Sequence, residues 1–243
     1  MKTDKLIHQL AVELQPIGPP VAIKTDKLIH QLAMDLRPVK PIGRPIARLT
    51  LWLLFATVFM SLAVYIVGPR PNLLAAFIEP TFALRIITTL CVAVVAGLAA
   101  FTLAIPGRNH EQSLVVLGFA IVTLAILLGY LFYSAESLAP GAGVRCARNT
   151  MIFGVAVSSI LYFMLKGGAP IRSGTVGALA ALGAAAFGSV GTQMICRNES
   201  PMHIFVWHLL PIALLSGVGI LLGRLIFNWN DRKSYRTAHA TNS

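Results

Sequence analysis

The chain has 243 residues, 56% of them hydrophobic and only 12% charged, with a mean hydropathy of +0.74. Soluble domains carry about 25% charged residues, so the composition excludes an ordinary water-soluble globule and points to lipid as the solvent. The formal charge of +11 would suit nucleic acid, but the basic residues are spread over loops and termini, where membrane topology is the first explanation.

About 45 polar, Pro-containing residues precede the first apolar run, which is not the order of a secretory leader. This segment repeats itself. Lys2-Thr3-Asp4-Lys5-Leu6-Ile7-His8-Gln9-Leu10-Ala11 recurs unchanged as Lys24-Thr25-Asp26-Lys27-Leu28-Ile29-His30-Gln31-Leu32-Ala33, and the likeness runs on to Pro16 and Pro38. Each copy reads as a short helix capped by Thr, with Asp in its first turn and a stop before Pro. Leu28, Ile29, Leu32 and Leu36 share one face, as do Leu6, Ile7, Leu10 and Leu14. A helix of about twelve residues is marginal alone in water, so its apolar face wants a protein groove or a membrane surface. The plainer alternative is a loose polar leader that only sets orientation.

Six apolar segments follow, at 46–67, 83–105, 113–133, 150–165, 174–195 and 204–226. Each approaches the length needed to cross a ~30 Å hydrocarbon core. The fold class expected is therefore all-α, a polytopic membrane protein with six transmembrane helices. An even number puts both termini on one side. Fifteen of the 20 Lys and Arg residues then lie on that side, leaving Arg70, Arg85, Arg145, Arg148 and Arg197 on the other. The positive-inside rule makes both termini cytoplasmic. The domain division expected is a cytoplasmic segment at 1–45, a bundle at 46–226 and a cytoplasmic tail at 227–243. Small residues along 174–195, and Gly219 and Gly223, read as close helix packing.

Three loops then face outward, around 68–82, 134–149 and 196–203. They carry Cys146 in the second and Cys196, Glu199, Met202 and His203 in the third. Cys91 falls inside the second segment, where a small buried hydrophobe is expected. Two thiols on one extracytoplasmic face admit three readings: a disulfide in an oxidising compartment, a soft-metal site shared with Met and His, or unrelated interfacial residues. His203 and His208 sit five apart, about 140° round a regular helix. They could not face one metal unless the helix start were irregular. His208 lies about 7 Å deeper, where a helix–helix hydrogen bond is the expected role. Trp207 shares the His203 face.

No Ser/His/Asp set, phosphate loop or paired carboxylates emerge, so no enzyme is expected. A small transporter or metal-handling permease is the alternative, with the outer Cys/Met/His set as its entry site. It would need polar groups continuing below His208, and the sequence shows no such trail. A membrane thiol oxidoreductase would want vicinal cysteines, which are absent.

Three features taken together resemble the negative regulator of sigma-F (NrsF) family. They are the leader pattern Asp26-Lys27-Leu28-Ile29 … Leu32-Ala33 … Asp35-Leu36-Arg37-Pro38-Val39, the six membrane segments, and the run Cys196 … His203 … Trp207-His208 … Pro211. The members are bacterial inner-membrane anti-sigma factors for extracytoplasmic-function sigma factors. The resemblance implies that the leader holds the sigma factor inactive, through Asp26, Leu28, Ile29, Leu32, Asp35, Leu36 and Pro38. It further implies that Cys146 and Cys196 sense heavy metals or redox stress; the residues themselves add Met202 and His203 as candidate ligands, with Trp207, His208 and Pro211 in support. The expected ligand is a regulatory soft metal ion of the copper, cadmium or zinc class, with no resident cofactor. The expected partners are a cytoplasmic sigma factor and the lipid bilayer, with no direct nucleic-acid contact. Members carry one copy of the leader motif. This chain carries two, 22 residues apart, and the second matches the usual position.

Overall fold

The computed structural model describes residues 43–105, 143–166, 168 and 170–226, together with Ile29 and Met34, both helical and exposed. The chain divides into two units, Met1–Pro41 and Ile42–Ser243, and the account below concerns the second. The expected span at 113–133 lies outside the described residues, as do most of the leader and the tail from 227.

Among the described residues the protein is all-helical. Helices α1 (Pro45–Val67), α3 (Pro80–Leu103), α4 (Val144–Leu165), α5 (Ser173–Ile195) and α6 (Pro201–Ile226) are each long and apolar enough to cross a membrane. A six-residue helix, α2 (Leu73–Ile78), joins α1 to α3. Proline opens α1, α3 and α6, where its missing N–H has no intrahelical partner to lose. Gly68 closes α1 at φ 97°, its N–H returning to the Val64 carbonyl, as a left-handed helix stop requires.

Four of the five sequence segments match these helices within about three residues. The fourth does not: α4 begins at Val144 rather than 150, so Cys146 belongs to a helix and not to a loop. Likewise Met202 and His203 stand in the first turn of α6. Polar Arg145, Arg148 and Asn149 disguise the start of α4 in a hydropathy reading, although a helix tolerates them at its end.

Helix α5 is the axis of the bundle, packing on α6, α4 and α3 and more lightly on α1. Its small residues make this possible. A Cβ on Gly188 would lie 2.6 Å from the Gly154 backbone nitrogen, and one on Gly177 would strike the Gly219 carbonyl. Backbones thus touch where lipid offers no hydrophobic drive and van der Waals contact must hold the helices. Around this axis Trp52, fully buried, meets Phe187 edge to face at 5.9 Å. The outer faces of α1 and α6 remain apolar: Leu54, Phe55, Val58, Leu62, Leu214 and Leu221 are all exposed. A surface of that kind is what a helix presents to acyl chains rather than to water.

Candidate functional site

The N-terminus of α4, the C-terminus of α5 and the N-terminus of α6 meet at one end of the bundle. Gly143 precedes α4, and a side chain there would fall inside the Trp207 indole. This glycine lets α4 start against α6 and sets Cys146 in its first turn. Cys196 follows the last turn of α5, its N–H bonded to the Thr192 carbonyl at 2.8 Å. The link to α6 is short. Asn198 Oδ1 accepts the Ser200 N–H at 2.9 Å, an Asx turn, and Pro201 begins the next helix. A strap from α1 closes over this link: the Arg70 N–H bonds the Met194 carbonyl at 2.9 Å and its guanidinium pairs with Glu199 at 2.6 Å.

Within this frame Cys146 Sγ lies 3.3 Å from Cys196 Sγ, and Cys196 Sγ lies 3.3 Å from His203 Nε2. Both cysteines are free thiols; a disulfide would hold the sulfurs at about 2.05 Å. His208 completes the group, and one donor atom from each of Cys146, Cys196, His203 and His208 lies within 4.8 Å of the others.

The two imidazoles share this site because the helix is irregular. Residues Phe205–Leu209 form a π turn, with the Leu210 N–H bonded to the Phe205 carbonyl five residues back. An i→i+5 turn is underwound relative to an α-helix and draws residues five apart toward one face. The 140° separation of a regular helix is thereby reduced, and the His203 and His208 rings stand 5.6 Å apart. Pro211 brings no N–H to the ladder, which loosens the helix one turn beyond. His208 is 1% exposed; neither ring nitrogen has a partner at ordinary hydrogen-bond geometry, and the polar group it approaches is the Cys196 sulfur.

The Cys146 thiol donates to Cys196 and holds the Cys196 thiol well below its ordinary pKa. Burial opposes this, and the nearby His208 imidazole reinforces it. Of the pair, Cys196 is the one favoured as thiolate, the reactive form of a cysteine.

Beneath the cysteines lies a second polar pair that the sequence reading missed. Thr150 donates to Thr192 at 3.1 Å, and Thr192 donates to the Gly188 carbonyl at 3.1 Å. Gln193 Nε2 reaches Thr89 and Ser189 at 3.4 and 3.5 Å. The expected absence of polar groups at this depth is corrected to a layer about two turns thick. Its signal was available: Thr150 stands four after Cys146 and Thr192 four before Cys196, one turn along each helix.

Of the other expected residues, Met202 is half-buried one residue before His203, about 100° round the helix from it. Trp207 packs on Gly143, and Pro211 is buried in α6. Ile29 is helical and exposed. Asp26, Leu28, Leu32, Asp35, Leu36 and Pro38 lie outside the described residues.

No curated protein and no solved structure matches the chain. The family model named NrsF, negative regulator of sigma F, matches residues 32–229. That span takes in the end of the second leader repeat, every described helix and all four donors of the thiol–imidazole group. The chain belongs to the NrsF family, the negative regulators of sigma F.

Proposed function

We propose that the protein is a multi-pass anti-sigma factor of the bacterial inner membrane, which releases an extracytoplasmic-function sigma factor when its paired thiols meet a thiophilic metal or an oxidant. The observation that carries this reading is the contact of Cys146 with Cys196 beside two imidazoles at one end of the bundle. In the proposed division, residues 1–45 and 227–243 are cytoplasmic, residues 46–226 form the bundle, and the thiol end faces outward. The helix face Leu28, Ile29, Leu32 and Leu36, flanked by Asp26, Asp35 and Pro38, holds the sigma factor.

The donor set fits a metal: two sulfurs, one of them favoured as thiolate, and a buried imidazole with no other partner. Cys146, Cys196 and the histidines would hold it, and it would supply bonds shared among three helix ends. The chain's own residues carry the consequence. Any change in the Cys146–Cys196 separation moves the first turn of α4 against the last turn of α5, and the Thr150–Thr192 bond passes that motion one turn inward. Signalling is then a shift between two bundle arrangements that bind sigma unequally. A hundredfold drop in sigma occupancy needs about 2.7 kcal/mol of coupling.

The test is a sigma-dependent reporter. Cys146→Ser and Cys196→Ser are expected to keep repression and lose induction by cadmium or a thiol oxidant, whereas deleting residues 24–39 should give constitutive expression. Normal induction in both cysteine variants would remove the sensing half of the reading. Repression that survives loss of 24–39 but not of 2–17 would transfer the sigma contact to the first repeat.

A further inference from the structure

The buried imidazole of His208 is not explained by the cysteine pair alone. A wholly buried ring with two unbonded nitrogens costs roughly 1–3 kcal/mol for each polar group left unsatisfied. It is carried there by a π turn, a rare helix form found mostly at functional sites. The turn gains the protein nothing in helix hydrogen bonding; its effect is to bring His208 over His203 and toward both sulfurs.

Resting on the metal reading above, we propose that Cys146, Cys196, His203 and His208 form a closed four-ligand S2N2 site, with His208 rather than Met202 as the fourth donor. The ligand class follows from number and shape. Around a tetrahedral ion such as zinc, metal–sulfur bonds of about 2.3 Å and metal–nitrogen bonds of about 2.0 Å set two sulfurs about 3.8 Å apart and a sulfur and a nitrogen about 3.5 Å apart, and the larger cadmium ion sets them wider. The observed sulfur–sulfur and sulfur–nitrogen separations of 3.3 Å and the 4.8 Å outer limit lie on either side of those figures, so the sulfurs would have to open by about half an ångström. Copper(I) is selected by soft thiolate donors, whereas a tetrahedral set of two sulfurs and two nitrogens is the zinc-type geometry, so the second imidazole adds most to zinc-like ions. Met202 is disfavoured because its Cα–Cβ direction lies about 100° from that of His203 on the same turn.

The π turn also accounts for a five-residue histidine spacing where a regular helix would use four. Removing Val206 would give a regular helix with the same two histidines four apart, again on one face.

The experiment uses the full-length, reduced protein in detergent micelles with cobalt(II) as the optical probe and cadmium, zinc and copper(I) as competitors. The wild type is expected to bind one cobalt with thiolate charge-transfer absorption and the intense visible bands of a tetrahedral site. His208→Phe, which keeps an aromatic ring without a donor nitrogen, should retain the charge-transfer band, lose the tetrahedral bands, and weaken zinc and cadmium binding by more than the roughly 10- to 100-fold that loss of an outer-shell partner costs. Its copper(I) affinity should not change. His208→Cys should restore a tetrahedral spectrum with added charge-transfer intensity, and Met202→Leu should match the wild type. Deletion of Val206 should keep the tetrahedral spectrum. A His208→Phe protein indistinguishable from wild type, a Met202→Leu protein that loses the tetrahedral bands, or loss of those bands on deleting Val206 would overturn this assignment while leaving a two-thiol sensor intact. A wild-type protein that binds none of these ions, or binds them equally well without both cysteines, would remove the metal reading and this assignment with it.

Discussion

The two ends of α5 are built on opposite principles. Toward its N-terminus, Gly177 lies against Gly219 and Gly223 of α6 so closely that no Cβ fits, and the contact is dry and backbone to backbone. Toward its C-terminus, the neighbours are Cys146, Thr150, His203 and His208, joined by hydrogen bonds and sulfur contacts about an irregular helix start. Backbone contact tolerates almost no adjustment, because every displacement opens a gap or a clash. Polar groups held by directional bonds have discrete alternatives. The glycine end is therefore the rigid one, and in the proposed mechanism the thiol end is where a small change is accommodated and passed on.

Substitutions can break this contrast in order of size. Gly177→Leu should cost about 3 kcal/mol or more, read as lost thermal stability in detergent. Tolerance within about 1 kcal/mol would mean that the seam is not the rigid part. At the other end, Thr150→Val should cost only about 0.6 kcal/mol, because Thr192 keeps its bond to Gly188. A double-mutant cycle with Thr192→Val should recover most of that as coupling between the two hydroxyls. A coupling of zero would remove the threonine pair as a link between α4 and α5. The smallest effect is expected from Arg70→Ala, about 0.5 kcal/mol and less in high salt, since Glu199 is partly exposed and the Arg70 backbone bond to Met194 survives. A much larger loss would make the strap, rather than the thiol group, the organising contact of this end.

Much of the bundle was legible because its cause is one-dimensional. Apolar length, proline starts and small-residue faces are properties of consecutive residues, so Pro45–Val67, Pro80–Leu103, Ser173–Ile195 and the end of α6 were readable from the chain. The start of α4 was not: Arg145, Arg148 and Asn149 lower the local hydropathy, although a helix needs only satisfied backbone bonds to continue through them. Cys146 was assigned to the correct end of the bundle but to a loop. The histidine pair turned on the one condition its spacing left open, an irregular helix start. Angles counted at 100° per residue assume a regular helix, and only packing against Gly143 and α5, with Pro211 beyond, makes a π turn the better local solution.

The amino-acid order by itself determined that this is a membrane-spanning helical chain, which thiols and imidazoles stand near its interfaces, and its membership of a family of sigma regulators. Those features follow from local composition, and from motifs whose meaning does not depend on distance in space. The tertiary structure decided that Cys146 touches Cys196 across 50 residues, that His208 joins them, and that two threonines lie directly beneath. Such contacts arise where three helix ends converge, and their geometry is set by how closely glycine lets those helices approach.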